Sequence, residues 1–291
     1  MKIARVFPRR TSYSPTDDLA FFDEPPLYPV DCDSVHVSVA FSYDMPRGEK
    51  LARAWERIAP VTLGGPGAGT RGEAFEPGLY LRWGITITSR GCPNRCWFCG
   101  VWRRDGQDIR LLPIRDGWLI QDDNILACPR EHFDAVCAML ARQPQRPDFR
   151  GGLEAARLRD WHIEQFAQLH PAGLWFAYDS PDEYEPVRSA LMRLKAAYPW
   201  TRNVLRCYVL IGHPRDTMAE AETRLRQVVQ LGAYPMAMLY RDEHGKVRNE
   251  WRRFQRVWAR PAAIAMMTSE AALEAPGQLP FGKPSPLGET P

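Results

Sequence analysis

Between residues 79 and 245 the sequence repeats one pattern, a short apolar run of strand-like composition followed by a stretch with helical spacing. The runs begin near residues 84, 117, 148, 173, 203 and 235, so successive starts lie 25 to 33 residues apart. That interval accommodates a strand, a helix and two loops, and parallel strands need such crossover connections. We therefore expect an α/β fold whose core is a partial (β/α)6 TIM-like barrel, two units short of the closed eight-stranded form.

Helical periodicity predicts the elements that separate these strands. The predicted helices cover residues 133–140, 158–169, 187–197 and 218–231. The last of them begins at a capping box, in which Thr217 and Glu220 each satisfy a free backbone amide of the other residue. In barrels of this kind the working groups lie at the carboxyl ends of the strands. Residues that directly follow each strand are therefore the first candidates for a site.

The two ends of the chain differ in pattern from this core. Strand-like runs at 3–7, 35–41 and 61–63, with a helical stretch over 47–58, predict a small N-terminal βαβ unit. We expect this unit to occupy residues 1–78, the barrel 79–245, and a C-terminal extension 246–291. The extension is predicted to hold a helix and then, from Glu274, a tail rich in proline and glycine.

Composition and charge exclude several classes of protein. The net charge of +3 is too small to indicate nucleic acid as the main partner. No apolar run approaches the 18 residues of a membrane span, so we expect no membrane partner. The first residues lack the apolar stretch of a secretory signal, and we expect a cytoplasmic location.

Three of the seven cysteines lie within eight residues, directly after the first predicted strand of the core. Cys92, Cys96 and Cys99 form a C-x3-C-x2-C pattern. Three thiolates can hold a [4Fe–4S] cluster and leave one iron open, whereas four make a closed electron carrier. A structural zinc site needs four ligands, and the next cysteine or histidine in either direction is distant. Zinc binding and a chance grouping of structural cysteines remain the alternatives.

This motif resembles that of the radical S-adenosylmethionine (SAM) superfamily. The likeness lies in C-x3-C-x-Φ-C, with Phe98 as the aromatic Φ, placed after the first strand of a six-unit barrel over residues 79–245. It implies that the three cysteines bind three irons and that SAM chelates the fourth through its amino and carboxylate groups. It also implies that Phe98 lies near the adenine, although this side chain is equally suited to core packing.

The implied activity is reductive cleavage of SAM to methionine and a 5′-deoxyadenosyl radical, which abstracts hydrogen from an unidentified substrate. An external one-electron donor of the flavodoxin or ferredoxin type would supply the electron. The alternative is a non-catalytic metal-binding protein on the same fold, holding zinc or a cluster for electron transfer.

The resemblance also implies cofactor contacts after the later strands. Where many members have Gly-Gly-Glu, this chain has Asp123 and Asn124, a form similar to the branch with an N-terminal cobalamin-binding domain. The further candidates are Gly151, Gly152, Glu154, Asp179, Ile211 and Gly212. The acids among them and Asn124 could instead cap helices or lie in solvated turns.

The ends of the chain give two further expectations. The N-terminal unit looks like a shortened cobalamin-binding domain, but the D-x-H-x-x-G pattern is absent, so we expect no bound cobalamin and a structural role. Residues 241–260 carry seven Arg or Lys against three acids, with Trp251, Phe254 and Trp258 at helical spacing. This segment predicts either a helix docked by its aromatic face or a basic lip for a nucleotide, a nucleic acid or a phosphorylated substrate.

Overall fold

The computed structural model of the protein describes residues 1–201, 203–259 and 264. Its N-terminal part is a parallel sheet of four strands in the order β2-β1-β3-β4. The strands are β1 (Ile3–Val6), β2 (Ala20–Phe21), β3 (Ser34–Ser38) and β4 (Val61–Gly64), and helix α1 (Met45–Trp55) connects the last two. The predicted βαβ unit is confirmed as β3-α1-β4. Strand β2 was not predicted, because its two residues are too few to show a periodicity.

Six parallel strands form the second sheet. In chain order the remaining strands are β5 (Ile85–Thr86), β6 (Ser89–Arg90), β7 (Arg110–Leu111), β8 (Leu119–Ile120), β9 (Asp148–Leu153), β10 (Gly173–Ala177), β11 (Leu205–Ile211) and β12 (Tyr234–Leu239). The large sheet has the sequential order β12-β11-β10-β9-β8-β5, and β6 pairs with β7 in a separate antiparallel ladder. The α/β class and all six predicted core strands are confirmed.

The helices of this part of the chain lie between its strands, except the last, which follows β12. They are α2 (Val101–Arg104), α3 (Arg130–Leu140), α4 (Asp160–Leu169), α5 (Tyr184–Ala197), α6 (Met218–Gln230) and α7 (Asn249–Trp258). The four helices predicted from periodicity correspond to α3, α4, α5 and α6. The proline at position 186 lies in the first turn of α5, where no backbone N–H has an intrahelical partner and proline is tolerated.

The first connection departs from the regular strand–helix alternation. Between β5 and β8 the chain runs through β6, the cysteine motif, the single turn α2 and then β7. Gly91 and Gly106, both with positive φ, bound this stretch, and Pro93 and Gly100 lie within it. These residues disfavour a long helix. The β6–β7 ladder joins the two ends of residues 89–111.

Two separate hydrophobic clusters stabilise the molecule. The smaller packs α1 against the N-terminal sheet around Trp55, Leu51 and Val37. The larger fills the space between the second sheet and its helices. The predicted docked helix is present as α7, which buries Trp251, Phe254 and Trp258 in the larger cluster. The tail from Glu274 lies outside the described residues. Among the helices that the structure describes, none is both long enough and apolar enough to cross a bilayer.

Candidate functional site

The cysteine segment, residues 91–100, leaves the sheet after β6 and turns back on itself. The amide of Cys92 donates to Gly106 O at 3.2 Å, and that of Cys99 donates to Cys96 O at 3.1 Å. Gly91 has a φ of +93°, and a Cβ at this position would overlap the carbonyl oxygen of Asp108. The segment can therefore begin its turn only with glycine.

The three thiols of this segment are half-buried and form no disulfide. Burial, and then the neighbouring Cys99, raise the pKa of Cys96 to about 11. Burial is also the main cause of the raised pKa of Cys99, where Cys92 contributes as a neighbouring group. The thiols of Cys96 and Cys99 therefore keep their protons at neutral pH unless a metal displaces them.

The sulfur atoms are more widely spread than a single ion requires. Within the described residues, Asp122, Cys128 and His132 have ligand atoms within 4.8 Å of one another, and the three motif cysteines are not such a group. Tetrahedral zinc with bonds of about 2.3 Å brings its thiolates roughly 4 Å apart. In a cubane cluster each thiolate binds a different iron, so a wider spread is compatible with a cluster.

Asp123 lies at the base of the cysteine segment. Its carboxylate accepts a hydrogen bond of 2.8 Å from the Gly91 amide and is 3.5 Å from Nη1 of Arg90. Burial raises the pKa of Asp123, and the charge of Arg90 opposes this. The structure thus places this predicted cofactor ligand where it ties the end of β8 to the cysteine segment.

Asn124 and Glu154, which the sequence selected separately, are brought together beside Cys92. Nδ2 of Asn124 donates to Glu154 Oε2 at 2.7 Å and lies 3.5 Å from Cys92 Sγ. Oδ1 of Asn124 is buried and has no hydrogen-bond partner among the residues that the structure describes. A buried oxygen without a donor costs free energy, so this position is suited to a ligand that brings an N–H or O–H group.

The predicted glycines differ in what they provide. At Gly151 a Cβ would overlap the backbone of Asp122, so β9 can approach the end of β8 only with glycine there. Gly152 has a φ of +94° and no atom within 4 Å of a Cβ position, which leaves open space at this edge. Ile211 is fully buried in the core, whereas Gly212 follows it with a φ of +78° and donates its amide to Asp216 at 2.9 Å.

Asp179 follows β10 and bonds to the neighbouring strand. Its Oδ1 accepts from the Leu210 amide at 2.8 Å, and burial followed by the charge of Glu183 raises its pKa to about 7. It does not cap the next helical turn, because Ser180 and Glu183 form the capping box there. Sequence reasoning missed Glu183, although Ser180-Pro-Asp-Glu183 is a readable capping-box pattern.

Phe98 is half-buried and belongs to neither hydrophobic cluster. Its ring packs edge-on against Trp97, with centroids 5.4 Å apart. Trp97 is 52% exposed and also contacts His213 and Tyr240, at 5.3 and 5.6 Å between centroids. These contacts join the cysteine segment to the ends of β11 and β12. Sequence reasoning missed them because the three residues are far apart along the chain.

A buried polar network beneath the cysteine segment was also missed. The carboxylate of Asp122 accepts from the amide and hydroxyl of Thr88, at 2.8 and 2.7 Å, and from Ser89 Oγ at 2.6 Å. Nε2 of His132 bonds to Thr88 Oγ1 at 3.1 Å. Burial raises the pKa of Asp122 to about 6. Since these hydrogen bonds already satisfy the carboxylate, we interpret the group with Cys128 and His132 as a structural network.

The site residues thus converge on the carboxyl edge of the six-stranded sheet. No protein-family model matches the sequence, and no curated protein matches it. What the site can do is read from its own chemistry. It offers three free thiols, a buried amide oxygen without a donor, nearby carboxylates, and open space beside Gly152.

Proposed function

We propose that the protein is a radical SAM enzyme whose Cys92, Cys96 and Cys99 bind a [4Fe–4S] cluster. The observation that carries the proposal is the Asn124 amide, whose Nδ2 lies 3.5 Å from Cys92 Sγ and whose Oδ1 is buried without a partner among the described residues. An electron carrier has no need of such an acceptor. A cofactor with an ammonium group, chelated next to the cysteines, would supply the missing donor.

The partial (β/α)6 barrel is part of the same proposal. Six parallel strands in sequential order, with every site residue on their carboxyl edge, support a curved sheet that encloses the site. When bound, the cluster would supply the electron for reductive cleavage of SAM to methionine and a 5′-deoxyadenosyl radical. A flavodoxin or ferredoxin would deliver that electron.

The residues of the chain then have distinct roles. Asn124 accepts a hydrogen bond from the amino group of SAM, and Glu154 orients the Asn124 amide through their 2.7 Å bond. Asp123 fixes the turn at Gly91 and so positions the thiols. The open space at Gly152 and the half-buried ring of Phe98 would border the adenosyl group. The edge of the site at the carboxyl ends of β10 and β11 is formed by Asp179, Ile211 and Gly212.

The decisive experiment is anaerobic reconstitution with iron and sulfide, followed by dithionite and SAM. The wild-type protein should bind about four irons and release 5′-deoxyadenosine. The variant with Cys92, Cys96 and Cys99 all changed to alanine should do neither. Cys32→Ala, which removes a half-buried thiol from the N-terminal unit, should behave as the wild type.

Two results would contradict the proposal. Zinc without iron after anaerobic purification would indicate a structural metal site. A cluster whose electron paramagnetic resonance spectrum does not change when SAM is added would indicate an electron carrier.

A further inference from the structure

A cavity separate from the thiol site lies between the N-terminal sheet and the cysteine segment. Its volume is about 420 Å³, within the roughly 300–1,000 Å³ of small-molecule sites. The wall comes from the ends of β3 and β4, the α2 turn and the residues after β12. The residues that line the cavity include Phe41, Tyr43, Gly67, Arg103, Arg104 and Arg241.

The wall of this cavity carries uncompensated positive charge. Three arginines line it against one carboxylate, Asp242, which is engaged by the amides of two residues in its own turn. Arg104 is paired with Asp105. Over the described residues, Arg103 and Arg241 have no carboxylate within 4.0 Å; their guanidinium groups donate to backbone oxygens and lie over the rings of Trp102 and Tyr43. Two guanidinium groups without a carboxylate partner on one wall favour an anion.

The same wall offers an aromatic surface. The rings of Phe41 and Tyr43 are stacked, with centroids 5.2 Å apart and planes inclined by 6°. Phe41 is 41% exposed, so part of its ring is free to contact a ligand. The guanidinium of Arg241 lies 5.6 Å from the centre of the Tyr43 ring. A planar group and a negative charge can therefore be bound side by side.

The glycine-rich loop at residues 64–69 shapes the cavity, but its backbone amides at 67–69 are not available as hydrogen-bond donors to a ligand. The amides of Gly67, Ala68 and Gly69 already donate to backbone oxygens of the N-terminal unit. A Cβ at Gly67 would overlap the backbone of Phe41, so the loop lies directly against the main chain at Phe41. Anion binding here depends on the arginine side chains.

We propose that this cavity binds a nucleoside 5′-monophosphate unit, with the base against Phe41 and the phosphate between Arg103 and Arg241. The inference goes beyond the proposed function and does not depend on the cluster, because no thiol lines the cavity. Among the described basic residues of segment 241–260, Arg241 lines the cavity. The ligand would lie beside Gly100, next to the last cysteine of the motif.

Binding of the four ribonucleoside 5′-monophosphates to the full chain, measured by calorimetry, tests the proposal. At least one should bind, and its nucleoside without phosphate should bind at least about tenfold more weakly. Arg103→Gln and Arg241→Gln should each weaken binding by about tenfold, and Phe41→Leu by about fivefold or more. Arg253→Gln, an exposed arginine on α7, is the matched control and should leave affinity unchanged.

Further measurements separate this site from the SAM site and identify the source of the nucleotide. Nucleotide binding should persist in saturating S-adenosylhomocysteine and in the triple cysteine-to-alanine variant. The nucleotide site can therefore be confirmed even if the protein proves not to be a radical SAM enzyme. If a single-stranded pentanucleotide binds tenfold more tightly than the monophosphate, the natural ligand is a nucleotide within a nucleic-acid chain. Equal or weaker binding of the pentanucleotide would indicate a free nucleotide. Competition by S-adenosylhomocysteine, no binding of any monophosphate, or no effect of the arginine changes would overturn the inference.

Discussion

At the scale of single residues, Asn124 links the cysteine segment to the rest of the site. Its amide group donates to Glu154 and approaches Cys92, while its oxygen is buried without a donor. The neighbouring Asp123 has a different task, because its carboxylate is bonded to the Gly91 amide. Of these two adjacent polar residues, Asp123 holds the loop, and Asn124 is the one proposed to contact the cofactor.

Replacing Asn124 by leucine should weaken SAM binding without loss of the cluster. A hydrogen bond to a charged group contributes about 1.5–3 kcal/mol, so we expect a dissociation constant raised by at least about tenfold. Equilibrium dialysis on the reconstituted protein, together with iron content, checks this. Asn203→Leu, at the opposite end of β11, should change neither quantity. Unaltered affinity in Asn124→Leu would remove this residue from the cofactor site.

His162 should make the protein less stable in acid. Burial, with the charge of Arg159, lowers the pKa of His162 to about 4, below about 6.5 in the unfolded chain. The unfolded state therefore binds more protons between these values, and stability present above pH 6.5 is lost as pH falls towards 4. The full contribution is about 3 kcal/mol.

The variant His162→Asn isolates this effect. Its side-chain oxygen can still accept the hydrogen bond that Nδ1 receives from the Arg159 amide at 3.0 Å, but it does not titrate. The free energy of unfolding in urea should fall from pH 7.5 to pH 4.5 in both proteins. The fall should be about 2–3 kcal/mol larger in the wild type than in the variant. Equal losses would mean that His162 is protonated in the folded state.

At the scale of elements, the helices of the core are fixed mainly by local signals. The capping box at the start of α6 is present as predicted: Thr217 Oγ1 accepts from the Glu220 amide at 3.2 Å, and the Glu220 carboxylate accepts from the Thr217 amide at 3.0 Å. The β6–β7 ladder shows the opposite case. Its strands have two residues each, so their pairing depends on the fold around them.

Removal of the cap should have a measurable cost. Thr217→Ala leaves an amide at the helix start without its acceptor and should lower the free energy of unfolding by about 1 kcal/mol. Thr223→Ala is the matched control, since Thr223 is exposed in the middle of the same helix and bonds to Ala219 O. Alanine is a better helix former there, so its effect should stay within about 0.5 kcal/mol. Equal losses in the two variants would argue against the cap.

At the scale of the whole molecule, the site depends on how closely neighbouring strands approach. The end of β9 passes the end of β8 at Gly151, where any side chain would overlap the backbone of Asp122. Asp122 in turn holds Thr88 and Ser89, from which the cysteine segment begins. A change at β9 is therefore transmitted to the thiols through packed backbone.

Gly151→Ala should consequently damage both stability and the site. We expect the free energy of unfolding to fall by about 3 kcal/mol or more, because backbone rather than a flexible side chain must move. We also expect a reduced iron content after reconstitution. Gly100→Ala is the control, since a Cβ there meets no atom within 4 Å and its φ of −85° suits alanine. Normal stability and full iron content in Gly151→Ala would show that the strand ends can adjust.

Local pattern determined much of this protein in advance. Six core strands, four helices, the α1 unit, the docked aromatic face of α7 and the capping box follow from periodicity and from contacts within a few residues. The cysteine motif was recognised from its spacing, and its role as a cluster site stays a prediction. Such features depend on the chain close to each residue, which is why a sequence can specify them.

Only the tertiary structure decided which polar side chains meet. Beyond the last residue of a strand there is no periodicity, so nothing in Asp122-Asp123-Asn124 tells which one is buried under Thr88 and which lies beside Cys92. The contacts of Trp97 and the arginine-lined cavity likewise join segments far apart in the chain. Their geometry depends on how the two sheets and the connecting loops pack, and that is set by the whole core rather than by any one stretch of sequence.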